Sequence, residues 1–253
     1  MNMALFKGEL YAKSLGMNVG LNIILPQDMC EKEPKVLYLL HGMADGCGAW
    51  TRWTRIEHYA KEYGYIVIMP EVHISFYMNM EYGGNYYTYI TEELPMLCEK
   101  MFGIKPDREK TYIAGLSMGG YGSMLCAFRN PQQYKACGAL SAPCDIKARM
   151  EERGRDEKWI KAIIGDKPVD ESCDLYKLTA RLMDLAPAKR PGLMLVCGTG
   201  DFLYEDNEAF KKYLETIHFD FNYEVWGGDH NWDFWEVGIQ KVLRFFEGDS
   251  VKI

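Results

Sequence analysis

The sequence predicts an α/β fold: a mostly parallel central sheet with helices on both faces and one helical, cap-like insertion. Three observations predict it. From Val36 onward, short continuous apolar runs alternate with segments of 3.6-residue periodicity, the pattern of a parallel sheet covered on both sides. The pentad Gly115-Leu116-Ser117-Met118-Gly119 stands between one such run and one such segment. At 253 residues the chain can bury a substantial core, and 1–253 reads as a single domain.

Ala4–Lys13 and Val19–Pro26 read as an antiparallel strand pair joined through Leu15-Gly16-Met17-Asn18. Val36–Leu40 is apolar throughout, as a strand buried on both faces must be. Ile56, Tyr59, Ala60 and Tyr63 fall on one helix face, with Gly64 as its stop. Tyr65–Met69 is the next strand, ended by Pro70. Ile90, Leu94, Leu97 and Met101 mark a helix within Tyr86–Phe102, which Pro95 either starts or kinks. Thr111–Ala114 is β-prone, and Tyr121–Arg129 is helical. Cys137–Ser141, Leu193–Cys197 and Phe221–Trp226 are further strands. Ala209, Phe210, Tyr213, Leu214 and Ile217 form a helical face, and Trp235, Ile239, Val242 and Phe246 another. Asp145–Ala186 breaks the alternation. It is helical and dense in mixed charge, either a solvated pair of surface helices or a cap over the site. In the cap reading, Trp159, Ile160 and Ile163 are its apolar face and wall the pocket.

Composition excludes several classes. A net charge of −7 and a pI near 5.4, with no basic run, argue against nucleic acid as a partner. No apolar run reaches membrane-spanning length, and Met1–Glu9 lacks the basic and apolar regions of a signal peptide. The eight cysteines (Cys30, Cys47, Cys98, Cys126, Cys137, Cys144, Cys173 and Cys197) form no C-x-x-C pair. They read as reduced thiols packed as small hydrophobes, which implies a cytoplasmic protein with no metal site.

Ser117 carries the chemistry. A serine on a sharp strand-to-helix turn is lifted clear of the sheet as a nucleophile, and the flanking glycines permit the turn. The helix behind it adds free backbone N–H groups and the positive end of a dipole. On such a scaffold the acid and then the histidine follow the serine along the chain. Only His218 and His230 follow Ser117. His218 closes a helix, whereas His230 lies in the loop Trp226-Gly227-Gly228-Asp229-His230-Asn231-Trp232 and has the reach of a general base. Asp201 lies just past the preceding strand, where it can orient the imidazole. Glu205 and Asp206 read as first-turn acids of the next helix, and Asp229 is too near His230 in sequence for a productive contact. Two backbone N–H groups are needed for a developing oxyanion. Met118 supplies one and Met43 the other, with Gly42 the alternative. His41 reads as a residue that braces this loop. Trp50, Trp53, Tyr77, Tyr82, Trp226 and Trp232 supply aromatic surface near the expected site, and with Trp159 they are candidates for a substrate pocket.

Together, Tyr38-Leu39-Leu40-His41-Gly42-Met43, Glu92-Glu93-Leu94-Pro95, Ile113 to Gly122 and Asp201-Phe202-Leu203-Tyr204-Glu205 resemble the esterase D-like branch of the α/β hydrolases, most closely the bacterial tributyrin esterases. The resemblance runs from about Leu37 to Phe246. It implies an α/β-hydrolase fold and a serine carboxylesterase that needs no cofactor and acts on short acyl esters. It also implies Ser117, Asp201 and His230 as triad, with Met43 and Met118 as backbone donors. S-formylglutathione hydrolases and feruloyl and acetyl-xylan esterases belong to the same branch and are alternative readings. A non-catalytic scaffold is a remote one. The expected partner is a small-molecule ester, and a homo-oligomer is left open.

Overall fold

The computed structural model describes residues 2–27, 34–154 and 157–248. Cys30, and two residues of the Asp145–Ala186 segment, lie outside the described residues.

Strands β1 (Met3–Ala12) and β2 (Met17–Pro26) form the antiparallel pair. Their turn is tighter than the sequence suggests. Met17 and Asn18 already pair with Ala12 and Tyr11, while the Lys13 and Ser14 N–H groups turn aside to the Glu93 carboxylate at 2.6 and 2.8 Å. Strand β3 (Lys35–Leu40) leads to α1 (Ala49–Trp53), a short helix with no periodicity to betray it. Its anchor is Trp50, fully buried, whose indole N–H donates to the Leu40 carbonyl at 3.0 Å. Helix α2 (Ile56–Tyr63) ends at Gly64, whose φ of 72° is the left-handed stop. Strand β4 (Tyr65–Pro70) follows.

Pro95 stands at the start of the last α-helical stretch, one of its two expected roles, although the helical run as a whole begins well before it. The run passes through α3 (Tyr86–Thr88), a π turn (Tyr89–Glu93) and α4 (Leu94–Phe102). Proline lacks the N–H that would bond the Thr91 carbonyl, and its ring crowds that oxygen. The helix widens just before it, and the Thr91 carbonyl accepts instead from the Gln133 side chain at 3.0 Å.

Strand β5 (Thr111–Leu116) and helix α5 (Met118–Arg129) flank Ser117, so the helix begins three residues earlier than the sequence suggests. Then come β6 (Ala136–Leu140) and three helices, α6 (Ile146–Arg153), α7 (Lys158–Ile164) and α8 (Leu175–Leu182). Strand β7 (Gly192–Gly198), α9 (Tyr204–Thr216), β8 (Asn222–Trp226) and α10 (Trp232–Phe246) complete the chain.

The described strands form one sheet in the order β1-β2-β4-β3-β5-β6-β7-β8, antiparallel at its first two pairings and parallel at the rest. Side chains alternate across it. Val36, Tyr38 and Leu40 face one core, with α4, α5, α9 and the insertion; Leu37 and Leu39 face the other, with α2 and α10. The parallel strands therefore all end toward the same rim, where the loops that carry Ser117, Asp201 and His230 leave the sheet.

The insertion divides its surface. Met150, Ile160 and Ile163 are buried in the larger core, and the charged residues face outward. The expected single wall of Trp159, Ile160 and Ile163 is therefore split: the two isoleucines are core, and Trp159 alone stacks on Phe76, at 5.2 Å and 14°. Backbone bonds from Glu81 to Ile163 and from Tyr82 to Ala162, at 2.8 and 2.9 Å, tie α7 to the loop after β4. The Tyr121 hydroxyl donates to the Cys173 carbonyl at 2.6 Å.

Candidate active site

Ser117 has φ 51° and ψ −119°, a strained conformation for a residue with a Cβ. The turn persists because its neighbours leave no other course. A Cβ on Gly115 would stand 2.4 Å from the Gly119 carbonyl oxygen, and one on Gly119 2.5 Å from that of Leu40. Only glycine lets strand and helix approach this closely. The Ser117 N–H donates to the Leu140 carbonyl at 2.8 Å, fixing the turn to β6.

Two further loops bring up their side chains. The loop after β7 is laced to the loop after β8: Thr199 N–H donates to the Trp226 carbonyl and Gly200 N–H to that of Gly228, at 3.0 and 2.9 Å. This sets Asp201 against His230. The two Asp201 oxygens lie 3.0 and 2.9 Å from His230 Nδ1, and His230 Nε2 lies 3.0 Å from Ser117 Oγ. Burial alone would raise the Asp201 pKa. Hydrogen bonds from His230, the Leu203 N–H and Ser141 outweigh it and hold the carboxyl below its usual range. An ionised carboxylate behind Nδ1 keeps the proton there and leaves Nε2 free to take one from the serine.

Two backbone N–H groups are candidates for the oxyanion. Among the described residues, neither the Met118 N–H nor the Met43 N–H has a protein acceptor. Met118 opens α5, and Met43 lies in the loop after β3. A Cβ built on Gly42 would come within 3.6 Å of the Ser117 Cβ, so this loop lies directly against the nucleophile. Two free donors beside a serine are what a tetrahedral oxyanion requires.

The rival acids lie elsewhere. Asp206, in the first turn of α9, accepts from the Cys144 and Asp145 N–H groups at 2.9 and 3.1 Å. Burial, only partly offset by the Asp145 N–H and Arg149, pushes its pKa up to about 6. Asp229 is exposed, with its carboxylate beside Gly200. His218 follows α9 in a left-handed turn.

The aromatic candidates scatter. Trp50 and Tyr77 are corrected to core residues. Trp50 sits beneath Trp232, edge to face at 5.2 Å, and the Tyr77 hydroxyl donates to the His41 carbonyl at 2.9 Å. Exposed Trp53 stacks on Trp232, which meets Trp235, which in turn stands edge-on to His230 at 4.9 Å. Trp226 stacks on Phe234 and carries the Lys241 ammonium. Tyr82 is exposed, and among the described residues no ring contact ties it to Ser117, Asp201 or His230. The residues that sequence reasoning missed are Ser141, Trp235 and Phe202. The Trp235 N–H donates to Ser141 Oγ at 3.0 Å, and Ser141 in turn bonds Asp201. A lone hydroxyl closing the apolar run Cys137–Ser141 was the one signal for it. Phe202 covers His230 at 4.5 Å and is itself held by Arg149, whose guanidinium donates to the Phe202 carbonyl at 3.1 Å.

Among the described residues, no group of three or more His, Cys, Asp and Glu is placed to hold a metal, and no helix is long and apolar enough to cross a membrane.

The putative esterase family model matches residues 12–246. An acetyl esterase of Caldicellulosiruptor saccharolyticus is 30% identical over 261 residues, covering 96% of this chain and 98% of that one. The structure of fluorophosphonate-binding serine hydrolase F of Staphylococcus aureus superposes with a TM-score of 0.87 at 32% identity, over 96% of this chain and 98% of the other. An S-formylglutathione hydrolase of the same organism gives 0.85 at 32% identity, over 97% and 99%. The two solved structures share the fold of this chain, whose sheet is mostly parallel with helices on both faces.

Proposed function

The chain belongs to the putative esterase family and is a serine carboxylesterase of the α/β-hydrolase fold, and on that premise we propose that Ser117, His230 and Asp201 are its triad and short acyl esters its substrates. Ser117 Oγ attacks the ester carbonyl while His230 Nε2 takes its proton. The Met43 and Met118 N–H groups receive the oxyanion. Collapse of the tetrahedral intermediate returns the proton to the leaving alcohol. A water, activated by the same imidazole, then hydrolyses the acyl-enzyme. Asp201 holds the ring in the Nδ1–H tautomer and stabilises the imidazolium that forms. The carrying observation is the unbroken chain from Asp201 through His230 to Ser117 at 2.9 and 3.0 Å.

Similarity to a relative named acetyl esterase supports a small acyl group. The insertion, with Arg149 gripping the carbonyl of the residue over His230, walls the acyl or alcohol pocket on this reading. A thioester reading rests on the S-formylglutathione hydrolase likeness and uses the same steps, with the proton returned to a leaving thiol. We place the protein in the cytoplasm, on the support of seven described cysteines, all unpaired and mostly buried.

The test is a fluorophosphonate label followed by peptide mapping, together with turnover of p-nitrophenyl acetate by Ser117→Ala. Labelling of Ser117 alone and a loss of about 10⁴-fold are expected. A label on another serine, or more than a tenth of the wild-type rate in the variant, sinks the assignment. A panel of acyl lengths, methyl ferulate and S-formylglutathione then ranks the substrates.

A further inference from the structure

His41 is almost fully buried, and both of its ring nitrogens are engaged. Its Nδ1 lies 2.9 Å from the Gly42 carbonyl oxygen. Its Nε2 accepts from the Val72 N–H at 3.1 Å and lies 3.2 Å from Glu71 Oε1. Two consequences follow from the chemistry of the ring. With the neutral ring, the Val72 N–H occupies the Nε2 lone pair, so the proton resides on Nδ1. With the charged ring, Nε2–H turns to Glu71 and Nδ1 is protonated as well. In either state Nδ1–H donates to the Gly42 carbonyl.

That carbonyl shares a peptide plane with the Met43 N–H. The described peptides are all trans, so the two groups point in opposite directions. Holding one aims the other. The Asp45 N–H donates to the same Gly42 oxygen at 3.2 Å, closing the turn behind it. Glu71 fastens the outside of the loop: its carboxylate accepts from Cys47 N–H at 3.0 Å and from His73 N–H at 2.9 Å, joining the loops after β3 and β4. These bonds, with His41 first among them after the cost of burial, hold the Glu71 pKa down at about 2. Both loops contain residues with side chains in left-handed backbone, Ala44 in one and His73, Phe76 and Tyr77 in the other. Such strain survives only where the surroundings over-determine it.

We propose that His41 is a positioning residue for catalysis: its Nδ1–H pins the Gly42 carbonyl away from the nucleophile and so keeps the Met43 N–H aimed at the oxyanion, with Glu71 bracing the loop from behind. The inference rests on the reading of Met43 as an oxyanion donor. Its test exploits a geometric substitution. An asparagine amide nitrogen overlays Nδ1 of histidine, and a glutamine amide nitrogen overlays Nε2.

With p-nitrophenyl acetate, His41→Gln should lower kcat by about 10–100-fold with KM nearly unchanged, part of the 10²–10³ that deleting a donor costs. His41→Asn should restore kcat to within a few-fold. A trifluoromethyl ketone, which forms an oxyanion on the serine, should bind the glutamine variant more weakly by the same factor as kcat falls. Equal loss in both variants, or a kcat loss with the ketone's affinity intact, overturns the role of His41 and leaves the esterase reading standing. Failure of the ketone to bind wild-type enzyme through Ser117 would instead remove the esterase reading itself. Should His41→Gln not fold, Glu71→Gln, which spares the imidazole, should lower kcat and ketone affinity in parallel by a smaller factor. No change in either overturns the brace.

Discussion

In the proposed mechanism the working groups on one side of Ser117 are side chains: an imidazole and a carboxylate, carried by the loops after β8 and β7. On the other side they are backbone N–H groups, delivered by α5 and the loop after β3, and the side chains there only hold the chain in place. The difference decides how each side responds to substitution. A side chain that reacts is lost when it is changed. A backbone donor remains whatever residue bears it, and its worth depends on neighbours that fix its direction.

The sharpest contrast is expected at the acids. Asp201→Asn should favour the wrong imidazole tautomer and lower kcat by about 10⁴-fold with little effect on KM. Asp229→Asn and Asp206→Asn should each cost less than about tenfold, because neither carboxylate touches His230. If Asp206→Asn proves the more damaging, the proton-relay side has been drawn around the wrong acid. Next in size is the insertion, which belongs to neither side. Trp159→Ala, by removing the ring stacked on Phe76, should shift kcat/KM between short and bulky esters by about 1–3 kcal/mol while the triad stays intact. A flat ester profile would mean that the segment limits nothing.

Ser141→Ala asks how far the relay depends on support of the kind that the oxyanion side needs throughout. It should lower kcat by less than about tenfold. It should also cost about 1–3 kcal/mol of stability, since the buried Trp235 N–H loses its acceptor. A drop as deep as that of Asp201→Asn would make the hydroxyl part of the relay itself. The smallest effect is expected at Asp206. Its folded pKa is raised from 3.8 to about 6, so the folded protein binds this proton more tightly than the unfolded chain does. Its contribution to stability is therefore greatest below pH 4 and is lost as the pH rises through about 6. The difference in Tm between wild type and Asp206→Asn should fall across that window and level off above it; a difference independent of pH would show that the carboxyl titrates normally.

The same contrast explains what could be read from the chain. The chain of contacts from Asp201 through His230 to Ser117 was legible because few residue types suit each place, and chain order left few choices: His230 over His218, Asp201 over Asp206. The parallel strands were legible because burial on both faces demands unbroken apolar runs. Met43 was harder to place, because any residue carries an N–H and only the turn at Gly42 pointed to it. Helix α1 was missed because a five-residue helix has no period to display; one buried indole holds it. The π turn before Pro95 depends on Gln133, some forty residues away, and no local pattern announces such a partner. The aromatic residues were the least legible. A tryptophan in sequence looks the same whether, like Trp50, it ends in the core or, like Trp53, on the surface.

Trp235 stands edge-on to His230 and hangs its N–H on the hydroxyl that bonds Asp201. An excited indole gives up an electron to an imidazolium far more readily than to a neutral imidazole. Light emitted from this position therefore dims when His230 takes a proton and recovers when the proton leaves. Read against a Trp235→Phe variant, the loss of emission should report a lasting imidazolium, such as a trifluoromethyl ketone adduct on Ser117 would hold, rather than the fleeting one of turnover.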